Sequence, residues 1–134
     1  MKSFAFSVFF YLIVFGAASQ NLVGYTSGEI VAYMKAKKID MNRENVTNST
    51  FRYLKYSDKY DTETVLFFLN PDSVCRSVRI VCNNSIKSSK IRELDSMYSR
   101  TGENAWRDMQ KGKNYIVKLS EDDYSFSVTI EPEK

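Results

Sequence analysis

No histidine occurs among the 134 residues. That removes a His-based triad, a Cys–His dyad and most zinc sites. The two cysteines, Cys75 and Cys82, cannot build a four-thiolate metal site or a disulfide-dense scaffold. There is no Gly-x-Ser-x-Gly elbow and no phosphate-binding glycine loop. Acids gather at Glu121, Asp122 and Asp123, with Glu93 and Asp95 upstream. Two carboxylates can run glycoside chemistry, but so short a chain leaves little room for a sugar cleft, and the acidic triplet reads as a solvated turn. The expectation is a non-enzyme with no catalytic residue, no metal site and no cofactor.

Aromatic residues are the better candidates for function, and their chemistry is binding. Phe51 and Tyr53 fall on one face of a strand, as do Tyr124 and Phe126. Phe67, Trp106 and Tyr115 can join them. One reading is an ordinary core. The sharper one is a sheet wrapped around a small ligand, with Tyr53, Phe67, Trp106, Tyr115 and Phe126 lining the site.

Charge adds little. Nineteen basic and 16 acidic residues give a formal +3, too mild to point to nucleic acid. The runs Lys35–Lys38 and Lys87–Arg92 read as solvated faces.

The chain begins as a secretory signal does. Lys2 is followed by an apolar run, Phe4–Phe15, and then by Gly16, Ala17, Ala18 and Ser19. The run is about twelve residues, short of the roughly twenty that span a bilayer. Cleavage after Ser19 is expected, leaving residues 20–134 as one small exported domain that is not membrane-bound. Export gives meaning to three sequons, at Asn45, Asn48 and Asn83, and occupied sites must face solvent. It also favours disulfides. Yet a strand from Cys75 to Cys82 takes seven steps of about 3.3 Å, which parts the Cα atoms by roughly 23 Å. A disulfide needs less than about 7 Å. The odd spacing also sends the two side chains to opposite faces, so no local disulfide is expected.

These residues must be carried by the following elements. Residues 26–38 predict a helix opened by a Thr26/Glu29 capping box, with Ile30, Val31, Met34 and Ala36 as its apolar stripe. Residues 39–50 read as loop. Strands are predicted at 51–56, 64–69 and 74–82. Residues 84–100 fit either a helix, with Ile91, Leu94, Met97 and Tyr98 at helical spacing and Ser88 as cap, or a polar outer strand. Residues 103–110 read as a short helix or loop. Strands 113–119 and 124–130 predict a hairpin across an acidic turn. No internal repeat is visible.

Three segments carry a resemblance. A short helix leads into Phe51-Arg-Tyr-Leu-Lys-Tyr-Ser-Asp-Lys-Tyr60; a Cys-bearing strand follows at Cys75-Arg-Ser-Val-Arg-Ile80; and Lys111–Val128 sets an apolar strand, an acidic turn and a returning Tyr in sequence. Together, discontinuously over 51–130, they resemble the secreted salivary lipocalins of ticks. The family's C-terminal helix, with its cysteine, has no counterpart here. The resemblance implies a mainly β, antiparallel lipocalin-like barrel or half-barrel with an N-terminal helix. It also implies a non-enzymatic scavenger of a small apolar or amine ligand, such as a biogenic amine or lipid mediator. The alternative reading is an α+β fold, a helix packed on a curved antiparallel sheet in the manner of cystatins. That fold would serve as an exported interaction module whose partner is a host protein. Cystatin-type protease inhibition has no support, since no Gln-x-Val-x-Gly segment is present.

Overall fold

The structure, a computed structural model, describes residues 21–37, 40–44 and 52–134. The expected signal segment, Asn45, Asn48 and Phe51 lie outside the described residues. Chain order is α1 (Ser27–Lys37), β1 (Met41–Glu44), β2 (Tyr53–Asp58), β3 (Glu63–Leu69), β4 (Cys75–Asn83), one 3-10 turn (Asn84–Ile86), α2 (Lys87–Met97), β5 (Ser99–Gly102), β6 (Ala105–Gln110), β7 (Lys113–Glu121) and β8 (Ser125–Pro132). The fold is mainly β. All eight strands form one antiparallel sheet in the order β1-β2-β3-β4-β8-β7-β6-β5. It does not close, because β1 and β5 are its two edges.

That order contains a repeat. Each half of the chain is a helix followed by four strands paired in sequence, and the halves meet where β4 pairs with β8. Val78 stands opposite Ile130, Arg79 opposite Thr129 and Ile80 opposite Val128. Exchanging the two strands therefore maps Val78 onto Val128 and Ile80 onto Ile130. An approximate two-fold relation runs through the Arg79–Thr129 pair. Sequence inspection finds no repeat because little survives beyond Ser77-Val-x-Ile80 and Ser127-Val-x-Ile130.

One face of the sheet is covered. Alternation along the strands sends Leu54, Tyr56, Val65, Phe67, Val78, Ile80, Tyr115, Val117, Leu119, Phe126, Val128 and Ile130 inward. Ile30 and Met34 of α1, one turn apart, pack into the same core, as does Leu94 of α2. Each fully buried side chain of this size contributes about 1.5–3 kcal/mol, so both helices are held by what they bury. The capping box forms as expected: Thr26 N–H donates to Glu29 Oε1 at 3.0 Å, and Glu29 N–H donates to Thr26 Oγ1 at 3.2 Å. Before the helix, Gly24 turns at φ 91° and its N–H bonds Cys75 O at 2.8 Å. Only glycine takes that φ without strain.

Four expectations change. β1 lies inside the stretch read as loop; at four largely exposed residues it shows no apolar alternation. The ambiguous 84–100 resolves into the 3-10 turn, α2 and β5, and α2 starts from Ile86 with no side-chain cap instead of Ser88. Residues 105–110 are a strand: a turn with Lys111 at φ 52° and Gly112 at φ 77° folds β6 onto β7, and pairing overrides the helical preference of Ala, Met and Gln. Finally, Cys75 and Cys82 both reach the core. A register shift opposite Phe68/Leu69 inserts Arg76 as an extra residue and resets the alternation. Both thiols are free.

Candidate functional site

The five aromatics proposed as a lining are not gathered around one space. Phe67, Trp106, Tyr115 and Phe126 all face the covered side, buried in the common core. Phe67 meets Tyr56 edge-on, with ring centroids 6.0 Å apart. Tyr53 stands on the opposite face, tilted against Phe68 at 5.9 Å. Tyr124 falls in the turn before β8 and is 89% exposed. Asn83 is exposed at the end of β4, where its Oδ1 accepts from Ser85 N–H at 2.9 Å. The Glu121–Ser125 turn borders an open recess of about 580 Å³, and Lys87 of α2 bridges to Glu121.

Sequence reasoning missed the most unusual group in the described residues, a buried ion cluster. Lys90 is only 4% exposed. Its ammonium donates to Glu63 Oε1 at 2.6 Å and pairs with Glu93 Oε2 at 2.9 Å. Burial alone would lower its pKa; the two carboxylates outweigh that and raise it. Glu93 Oε1 and the hydroxyl of Tyr98 are buried without a hydrogen-bond partner. Both residues border a partly open space of about 10 Å³ beneath α2, whose walls are Ile80, Leu94, Met97 and Ile130. None of the proposed aromatics lines it. A signal was present: Lys90 lies one turn before Leu94 on the apolar stripe of α2, and Glu63 shares the alternation of Val65 and Phe67.

Asp95 organises a second cluster. The guanidinium of Arg100 grips it, Nε donating to Oδ1 at 2.9 Å and Nη2 to Oδ2 at 3.0 Å. Trp106 Nε1 also donates to Oδ1, at 2.9 Å, and Arg100 lies 5.0 Å from the indole centroid. The Trp106 hydrogen bond, with Arg100 beside it, holds the Asp95 carboxyl below its usual pKa. This group fastens α2 to the β5–β6 hairpin.

The other face of the sheet carries neither helix. Across it, Lys55, Leu66, Arg79, Thr129 and Lys118 stand in one row over five strands. Strands lie about 4.8 Å apart, so the three cations recur at about 10 Å. Beside this row are half-buried Tyr53, Phe68, Val81 and Ile116. Arg76 lies over the Phe68 ring at 5.9 Å. Lys55 pairs with Glu44 at 2.8 Å and Arg107 with Glu133 at 2.8 Å. Among the described residues, no acid forms an ion pair with Arg79 or Lys118, and Arg79 reaches only Ser127 Oγ, at 3.4 Å.

The described residues contain no group of three or more metal-ligating side chains. Burial pushes the thiols up, Cys75 to about 11 and Cys82 to about 12, so neither is poised as a nucleophile. Among the described residues no helix is long and apolar enough to cross a membrane. No family model, curated protein or solved structure matches this chain.

Proposed function

We propose that this chain is an exported, non-enzymatic interaction module that docks an acidic, partly apolar surface of a host protein on the open face of its sheet. One observation carries the reading: Lys55, Arg79 and Lys118 recur across that face, with half-buried Leu66, Phe68 and Ile116 among them. Interleaved cations and apolar groups suit a protein surface bearing carboxylates. The cations would set approach and register, and the apolar residues would supply the desolvated contact. The covered face supports the same choice, because both helices already pack against it. Export rests on the N-terminal signal pattern, and Asn83, exposed at the end of β4, suits a glycan.

A carrier of a small apolar or amine ligand, as the lipocalin resemblance implies, is the second reading. The space beneath α2 does not favour it, because that space is only water-sized.

The test compares three immobilised baits in extracellular medium: the native chain, Arg79→Glu/Lys118→Glu, and Lys111→Glu as a charge control off the row. A partner held by the native chain and the control, but lost by the double variant, supports the reading. Equal retention by all three baits contradicts it.

A further inference from the structure

The two unpartnered atoms beneath α2 belong to one hydrogen-bonding account. The Lys90 ammonium has three N–H donors. Two are spent on Glu63 and Glu93. The Tyr98 hydroxyl, on a side chain more than nine-tenths buried, has a donor with no acceptor, and Glu93 Oε1 is an acceptor with no donor. All three residues border the same partly open space of about 10 Å³. That is close to the 10–15 Å³ that one water molecule requires, and a buried water typically makes about three hydrogen bonds.

The charges point the same way. Two carboxylates face one ammonium, so the cluster carries an excess negative charge in an apolar wall of Ile80, Leu94, Met97 and Ile130. An uncompensated carboxylate oxygen in such a setting is costly. A donor there relieves it.

We propose that the space beneath α2 is a binding site for one water molecule, held by Lys90, Tyr98 and Glu93. The water oxygen accepts from the third Lys90 N–H and from the Tyr98 O–H. One water O–H donates to Glu93 Oε1, and the other points toward the rim beside Met97. One molecule thereby settles every open valence of the cluster, and Lys90 gains a third ligand. The halves of the molecule differ at this spot. Ile30 holds the same place in α1 that Lys90 holds in α2, each the fourth residue of an 11-residue helix with a buried apolar residue one turn on. The second half thus exchanges an apolar anchor for a hydrated polar one. The proposal is independent of either functional reading.

The test is a crystal structure of the native protein that shows ordered water, together with one of Tyr98→Phe. The native protein is expected to show one peak within hydrogen-bonding distance of Lys90 Nζ, Tyr98 Oη and Glu93 Oε1. In Tyr98→Phe, having lost one of three ligands, that peak should weaken or vanish. A direct Tyr98–Glu93 hydrogen bond with the space closed, no peak in the native protein, or an unchanged peak in the variant would each overturn the assignment. Should Tyr98→Phe fail to fold, magnetisation transfer from water to the Lys90 ammonium protons in the native protein replaces it. Transfer from a long-held water is expected, and its absence counts against the site.

Discussion

Lys90 Nζ lies 2.6 Å from Glu63 Oε1 in the core, at the helix position that Ile30 fills in the other half of the fold. A buried ion pair is weak evidence of net stability, but breaking one from a single side is costly because a charge is stranded. Lys90→Met should therefore destabilise the protein by about 3–5 kcal/mol. Lys90→Met/Glu63→Leu should recover most of that loss, since Glu93 sits near enough to the surface to turn outward. Urea unfolding of both variants measures the difference. A double variant as unstable as the single one would show that the pair itself, and not the stranded charge, holds α2.

Stability should fall on the alkaline side. The Lys90 pKa is raised by its two carboxylates, so its contribution is intact below the ordinary lysine value of 10.5 and is lost as pH climbs through the raised one. The buried thiols act in the same direction. From their ordinary 9.0 upward the unfolded chain ionises, while the folded chain resists until about 11 at Cys75 and about 12 at Cys82. On the acid side, hydrogen bonds from Thr62 and from the Glu63 N–H outweigh burial and hold the Asp58 carboxyl below 3.8. Its contribution is present above that value and is lost as pH falls through the lowered one. A plateau of melting temperature between about pH 5 and pH 9, with decline on both sides, is the expected profile.

Neither thiol should react while the chain is folded. At pH 8 a thiol reagent should modify Cys75 and Cys82 only as fast as the protein opens, and both together on adding denaturant. Rapid modification of one residue in the native state would place it outside the core.

The chain's single tryptophan reports on the α2 clasp. Trp106 is 1% exposed and bonded to Asp95, so its emission should be blue-shifted and poorly quenched by acrylamide. Asp95→Ala strands the indole N–H and frees Arg100. A loss of stability is expected, together with increased quenching before global unfolding. Unchanged quenching would mean that the β5–β6 hairpin is held without Asp95.

Much of the fold is legible where one residue dictates a local geometry. Thr26 and Glu29 announce the helix start, and the alternation of Phe126, Val128 and Ile130 announces a half-buried strand whose hairpin partner is 113–119. What is not legible depends on distant partners. Ala105–Gln110 has helical residues but is pulled into the sheet by β7. The bulge at Arg76, which brings Cys75 into the core, has no turn residue to mark it. The site was harder still. Aromatic alternation shows which residues lie in a sheet, yet not which face the helices take, so Tyr53 separates from Phe67. The polar cluster needs Glu63 and Lys90, far apart in the chain, to be seen together.

Which surface meets the partner is open to direct measurement. A photo-crosslinking residue placed at Leu66, amid the cationic row, should capture a protein from extracellular medium, and the adduct should vanish with Arg79→Glu/Lys118→Glu. The same probe at Tyr124, exposed at the acidic turn, should capture none. Adducts at Tyr124 instead of Leu66, or adducts at Leu66 indifferent to the charge reversal, would contradict docking on the open face.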